Sequence, residues 1–489
     1  MMKNFKWLLL LSLSFVACNN NDDDSAPAEI PITPGSASFT KYVALGDSFA
    51  AGYSDGALFK AGQQNSYVNI LAQQFIPAGG AAITQPLMAD NIGGLLLGGN
   101  VIAGPRLYFN GKAPVTVPGT PTTEVTNHLT GTFNNLGVPG AKSFHLVASG
   151  YGNVAGVASG KANPYYARFS SSATATLLGD ALAQSPSFFS LFIGGNDVLT
   201  YATSGGIGVN QTGNMDPSTY GANDITDPTV FANVFTSLAT SLTANGAKGV
   251  VANLPYITAL PYFTTVPYNP VALTDALAAQ LNAGYAQYNG GLQLMVANKL
   301  LTAEEAARRT IKFVAGNNAV VIVDSYLTNL TAYGVPSYRQ VTKDDLVVLI
   351  ARTFIGTTVG GDPLKINGVS VPLADQWVLS KDEVKEVQVA TDAYNKTIES
   401  VAASKGLALA DTKTALTQLS TAGVRFGNFH MTSAYVTGGA FSLDGVHPSP
   451  RGYAYIANLF VNAINVKYGA TLRTVDLSQY QIQYPAVIQ

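Results

Sequence analysis

Short runs of apolar and β-branched residues, each stopping at glycine, proline or aspartate, alternate along the chain with stretches in which apolar residues recur every three or four positions. Residues 42–45 run into Gly46, 187–193 into Gly194-Gly195, 249–254 into Pro255, and 407–410 into Asp411. These runs are read as strands. The helical stretches carry their own start and stop signals. Residues 228–245 begin with Asp227 before Pro228 and stop at Gly246. Residues 380–405 open with a capping box, Ser380 and Glu383, and stop at Gly406. A last helix opens at Ser449-Pro450, places Ile456, Phe460, Ala463 and Ile464 on one face, and ends at Gly469. Strands that alternate with helices predict an α/β fold with a mostly parallel sheet.

The strands are widely spaced in places, so residues 77–130, 205–226 and 258–400 read as elaborations. Within them Asn110-Gly111 and Asn367-Gly368 predict hairpin turns. Residues 319–323 predict a further strand, and 273–301 a long helix interrupted at Gly290-Gly291. There is no internal repeat and no clean linker after residue 38. Residues 39–489 therefore read as one decorated domain.

The N-terminus follows different rules. Lys3 and Lys6 precede an apolar run, 7–17, that has signal-peptide length and is too short to span a membrane. Ala17 directly before Cys18 resembles a bacterial lipoprotein cleavage box, and Cys18 is the only cysteine of the chain. Residues 1–17 thus read as a signal peptide, Cys18 as the lipidation site, and 18–38 as a polar, Pro-containing flexible tether. The acidic stretch Asp22-Asp23-Asp24 resembles surface-export signals of some Gram-negative lipoproteins. The expectation is an extracytoplasmic protein anchored to the outer membrane by lipid alone. A plain secretory signal with a chance cysteine is the alternative.

Composition narrows the function classes. Charged residues make up 11% of the 489, under half of the roughly 25% usual in soluble domains. Net charge is −2 without a basic run, which argues against a nucleic-acid partner. One cysteine excludes an intrachain disulfide, and four scattered histidines without an H-E-x-x-H pattern argue against a metal site. No G-x-G-x-x-G follows a strand in a dinucleotide context, so no cofactor is expected.

Four motifs carry candidate chemistry. Gly46-Asp47-Ser48 follows a predicted strand, where a serine sits on a strand-to-helix turn at the carboxyl edge of the sheet. Gly140, after Asn135-Leu136-Gly137-Val138-Pro139, can bring a backbone N–H close to a developing oxyanion. Asn196, in Gly194-Gly195-Asn196-Asp197, can aim a side-chain amide into the same cleft. In Asp444-Gly445-Val446-His447-Pro448 a carboxylate three residues before a histidine can reach Nδ1 and leave Nε2 for a serine. Gly52-Tyr53-Ser54-Asp55-Gly56 also matches a G-x-S-x-G elbow, but that motif needs a strand immediately before it, and the strand has already ended at Leu45. Ser54 reads as a loop serine, and His145 and His430 as structural or peripheral.

In this order the four motifs resemble the SGNH hydrolase family, the GDSL esterases and lipases, over residues 46–447; the stretch 438–447 further resembles large lipoprotein members. The resemblance implies a three-layer α/β/α sandwich around a flavodoxin-like, parallel five-stranded sheet. It implies Ser48 as nucleophile and oxyanion donor, with Gly140 and Asn196 as the other donors. His447 is implied as general base and Asp444 as its orienting group. Implied substrates are small-molecule, lipid or glycan esters, with no metal or cofactor. The chain is longer than simple members of the family. Two alternatives stay open: a polysaccharide O-acetyl esterase with the same chemistry, and a non-catalytic surface lipoprotein that binds glycans.

Overall fold

The computed structural model of the chain describes residues 31–488. The expected signal peptide, Cys18 and residues 18–30 of the tether lie outside them. From Ile32 onward the chain forms one contact unit.

Its centre is a five-stranded sheet: β1 (Tyr42–Gly46), β2 (Asn135–Gly137), β3 (Phe188–Phe192), β4 (Lys248–Ala252) and β5 (Ala408–Ala410). The spatial order is β5-β4-β3-β1-β2, and every pairing is parallel. This is the flavodoxin-like order 2-1-3-4-5. β1 and β3 are buried at every position, as suits uninterrupted apolar runs covered on both faces. On one face lie α1 (Tyr67–Phe75) and α5 (Pro450–Tyr468), and on the other α2 (Leu177–Leu182), α3 (Pro228–Thr243) and α4 (Lys381–Lys405). The three-layer architecture implied by the resemblance is the one the chain adopts.

The helix ends follow the local signals. The Asp227 carboxylate accepts from the amides of Thr229 and Val230 at the start of α3. Ser380 and Glu383 form the reciprocal capping box of α4, and the Ser449 hydroxyl accepts from the Gly452 amide at the start of α5. Such caps typically contribute about 1 kcal/mol each. α4 packs on α3 and reaches β4 and β5, so the material outside the three layers ends near residue 380 rather than 400.

The elaborations differ from expectation in detail. The helix Asp275–Ala297 runs straight through Gly290-Gly291. Two glycines cost a helix about 1 kcal/mol each. Here Leu292 and Met295 are buried against Leu301, Ala306, Leu330 and Val335, and that packing outweighs the cost. The strand expected at 319–323 forms over its last three residues, and a separate short strand precedes it. Gly316–Asn318 pairs with Val271–Leu273, and Val321–Val323 with Tyr338–Gln340. Asn110-Gly111 turns between the antiparallel strands Leu107–Phe109 and Pro114–Thr116. Asn367-Gly368 makes a tight turn closed by the Val369 amide on Ile366, but the hairpin beside it turns at Gly360-Gly361, joining Thr358–Val359 to Asp362–Ile366. Among the described residues no helix is long and apolar enough to cross a membrane.

Candidate active site

In a 2-1-3-4-5 sheet the connections leave β1 and β3 in opposite directions, which opens a crevice at their carboxyl ends. The residues singled out by sequence converge there. Ser48 begins the short helix Ser48–Ala51 directly after β1, and the Asp47 carboxylate caps that helix through the Phe49 amide at 3.0 Å. β2 ends against this turn. A Cβ at Gly137 would lie 2.3 Å from the Ala51 amide nitrogen, so only glycine lets the two backbones approach.

The loop before α5 brings the remaining groups. His447 Nε2 lies 2.9 Å from Ser48 Oγ, and His447 Nδ1 lies 2.9 Å from Asp444 Oδ2. Asp444 is held by four donors. Oδ1 accepts from the amides of Val446 and His447, and Oδ2 accepts from the Gly56 amide as well as from His447. Burial opposes ionisation of Asp444. The neighbouring His447 and the backbone amides outweigh it and hold the carboxyl below its ordinary range. The imidazole sits between aromatic rings, Tyr53 at 4.6 Å and Phe49 at 5.6 Å. Phe49 also lines an apolar cavity of about 50 Å³ together with Phe192, Leu260, Leu416 and Phe441. The insertion after β4 braces the loop: the Tyr262 amide donates to Gly445 O at 2.9 Å.

Gly140 and Asn196 follow β2 and β3, the two strands flanking β1. Gly140 has φ +79°, a conformation that favours glycine. Among the described residues, neither the Ser48 nor the Gly140 amide has a protein acceptor. One N–H of the Asn196 side chain donates to Ala141 O at 3.0 Å, which ties the two loops and leaves the other N–H free. Asp197 fixes the same loop, accepting from the amide and hydroxyl of Ser143. Three N–H groups without protein acceptors thus stand at adjacent strand ends beside Ser48, the donor type an oxyanion requires. Asn196→Ala is expected to lower kcat for ester hydrolysis by roughly 10²–10³ with little change in KM. Steady-state kinetics on p-nitrophenyl butyrate check this, and an unchanged kcat removes Asn196 from the oxyanion donors.

The model of the family described as GDSL-like lipase/acylhydrolase matches residues 42–460. The chain belongs to that family. No curated protein matches it. Among solved structures it is similar to LAE5, an α/β hydrolase enzyme from the metagenome of Lake Arreo, Spain, at 11% identity over 88% of this chain and 96% of that one, with a TM-score of 0.33. It is also similar to a catalytic mutant of Axe2, an acetylxylan esterase from Geobacillus stearothermophilus, at 10% identity over 88% and 95% of the two chains, with a TM-score of 0.32.

The other singled-out residues of this GDSL-like acylhydrolase lie elsewhere or act differently. Ser54 is buried and its hydroxyl donates to Pro448 O at 3.0 Å, away from the imidazole. His145 accepts the Lys142 amide on Nδ1 and stacks on Tyr151 at 4.3 Å; burial, with Lys142 nearby, pushes it down to about 4. His430 meets Ala422 O, and His128 meets Ser170 O. Asp47 is pushed up to about 7, chiefly by burial. Sequence reasoning passed over the structural parts of Asp197, Ser143 and the segment 53–56. Each acts through contacts made only on folding.

Proposed function

We propose that Ser48 is the nucleophile of this ester hydrolase, with His447 as general base and Asp444 as the group that orients it. The observation that carries this reading is the unbroken chain Ser48 Oγ to His447 Nε2 and His447 Nδ1 to Asp444 Oδ2, both 2.9 Å. Ser48 Oγ attacks the ester carbonyl while its proton moves to His447 Nε2. The amides of Ser48 and Gly140 and the free N–H of Asn196 take the oxyanion. As the tetrahedral intermediate collapses, His447 returns the proton to the departing alcohol. Water, deprotonated by the same nitrogen, attacks the acyl-enzyme and releases the acid and Ser48. Asp444, ionised throughout, stabilises the imidazolium and fixes its tautomer.

Substrate class is read by a series of p-nitrophenyl esters of increasing acyl length, with acetylated glycans beside it. Turnover of any of them by wild type and not by Ser48→Ala supports the reading. A chain that hydrolyses none is the glycan-binding alternative instead. Falling activity with acyl length supports use of the small apolar cavity beside Phe49.

The lipid anchor belongs to the same proposal, as does the single hydrolase domain over 39–489. Lys3, Lys6, the apolar run to Ala17 and the sole cysteine at 18 support a lipidated Cys18. Detergent phase partitioning of the protein from its producing cells tests it. Wild type is expected in the detergent phase and Cys18→Ser processed differently or left there with an uncleaved leader, without the lipid mass. Wild type lacking that mass ends the anchor reading, and protection from protease on intact cells ends surface exposure.

A further inference from the structure

The G-x-S-x-G stretch that does not supply the nucleophile has another place in the site. Three consecutive residues, 54 to 56, bond to the loop carrying Asp444 and His447 on both sides of the imidazole. Ser54 Oγ donates to Pro448 O at 3.0 Å. The Asp55 amide donates to Ser442 Oγ at 2.9 Å, and Asp55 Oδ1 accepts from the Leu443 amide at 2.9 Å. The Gly56 amide donates at 2.9 Å to Asp444 Oδ2, the oxygen that also receives His447 Nδ1. These contacts join residues nearly 390 positions apart.

We propose that Asp55 is a positioning residue for the Asp444–His447 pair: by gripping Ser442 and Leu443 it seats the Gly56 amide on Asp444 Oδ2 and so sets the rotation of the carboxylate that orients the imidazole. The inference rests on the triad reading above. Asp55 and Gly56 are the central residues of the tight turn 54–57, whose end residues Ser54 and Ala57 exchange both backbone hydrogen bonds, and that turn accounts for the positive φ of both. Two features set Asp55 apart from an ordinary turn residue. It is 1% exposed, and its Oδ2 has no hydrogen-bond partner. Burial, with Asp444 nearby, pushes its carboxyl up to about 7. A buried, half-satisfied carboxyl is costly; the turn and the Leu107 amide on Asp55 O hold the backbone, and the bonds the carboxyl and amide make go to the loop of Asp444.

The features separate by substitution. Asp55→Asn keeps both the Oδ1 acceptor and the tolerance for positive φ. Asp55→Gly keeps the backbone and removes the acceptor. Ser442→Ala removes the acceptor for the Asp55 amide from the other side. With p-nitrophenyl butyrate, Asp55→Gly and Ser442→Ala are expected to lose about 10–100-fold in kcat with KM within about twofold, while Asp55→Asn stays within about threefold of wild type. The downfield proton signal of His447 Nδ1–H is expected to move in Asp55→Gly and to stay in Asp55→Asn. If Asp55→Gly does not fold, Ser442→Ala carries the same test. Wild-type kcat in either truncated variant, a change confined to KM, or Asn falling as far as Gly overturns the proposal. Ser48→Ala, assayed alongside, separates the two levels. If it still turns over the ester, the triad reading fails; if it is inactive while Asp55→Gly is unimpaired, only the positioning role fails.

Discussion

Ser48→Ala is expected to lose ester hydrolysis almost completely, with kcat down by roughly 10⁴–10⁶ and only the residual rate that an anion pocket and substrate binding provide. The size of the effect follows from the geometry. Ser48 Oγ is the atom in contact with His447 Nε2, and methyl in its place can neither attack a carbonyl nor give up a proton. Ser54, the serine of the competing motif, is buried with its hydroxyl committed to Pro448 O and cannot substitute. The fold should tolerate the change. Ser48 Oγ caps no helix, since the cap of the short helix is the Asp47 carboxylate. Melting temperature is therefore expected to stay close to wild type while activity disappears. An alanine variant with more than a few per cent of wild-type kcat contradicts the assignment.

Asp444→Asn is the second large effect, about 10³–10⁴ in kcat. The carboxylate meets four donors and no acceptor: the amides of Val446 and His447 on Oδ1, and the Gly56 amide and His447 Nδ1 on Oδ2. Asparagine has one oxygen and one NH₂ group, so one of these pairs must face a donor. With NH₂ toward the imidazole, His447 presents an unprotonated Nδ1 and carries its proton on Nε2. In that tautomer it cannot accept the Ser48 proton. With NH₂ toward the loop, two backbone amides lose their acceptor, at a cost of about 1–3 kcal/mol for each group left buried and unpaired. The first arrangement removes activity and leaves one backbone amide, that of Gly56, without its acceptor; the second keeps the tautomer and leaves two, so the second gives the larger fall in thermal melting with the smaller loss of kcat. A kcat within tenfold of wild type, with unchanged melting, contradicts the orienting role.

Much of the fold is legible in the sequence because the signals are local. The buried strands are continuous apolar runs, and α3, α4 and α5 carry their caps at Asp227, Ser380 and Ser449. The five-stranded order itself came from the resemblance, since nothing local says which strands are neighbours. The insertions were read less well, for one physical reason. In the helix through Gly290-Gly291, tertiary packing overrides propensity.

The site shows the same division. Ser48 and Ser54 lie in equally plausible motifs, and the decisive clue is local: β1 ends at Gly46, two residues before Ser48. The Asp444–His447 spacing is likewise readable within four residues. Nothing local indicates that Asp55 and Gly56 meet Ser442 and Asp444, or that Asp197 takes both donors of Ser143. Those contacts exist only once β1, β3 and the last loop are assembled at one edge of the sheet.

The most direct test of the central claim is to treat the full chain with a fluorophosphonate and map the modified peptide by mass spectrometry. One adduct per chain is expected, on Ser48, forming far more slowly in His447→Ala. An adduct on Ser54 or any other serine, or ester turnover with no adduct at Ser48, would contradict it.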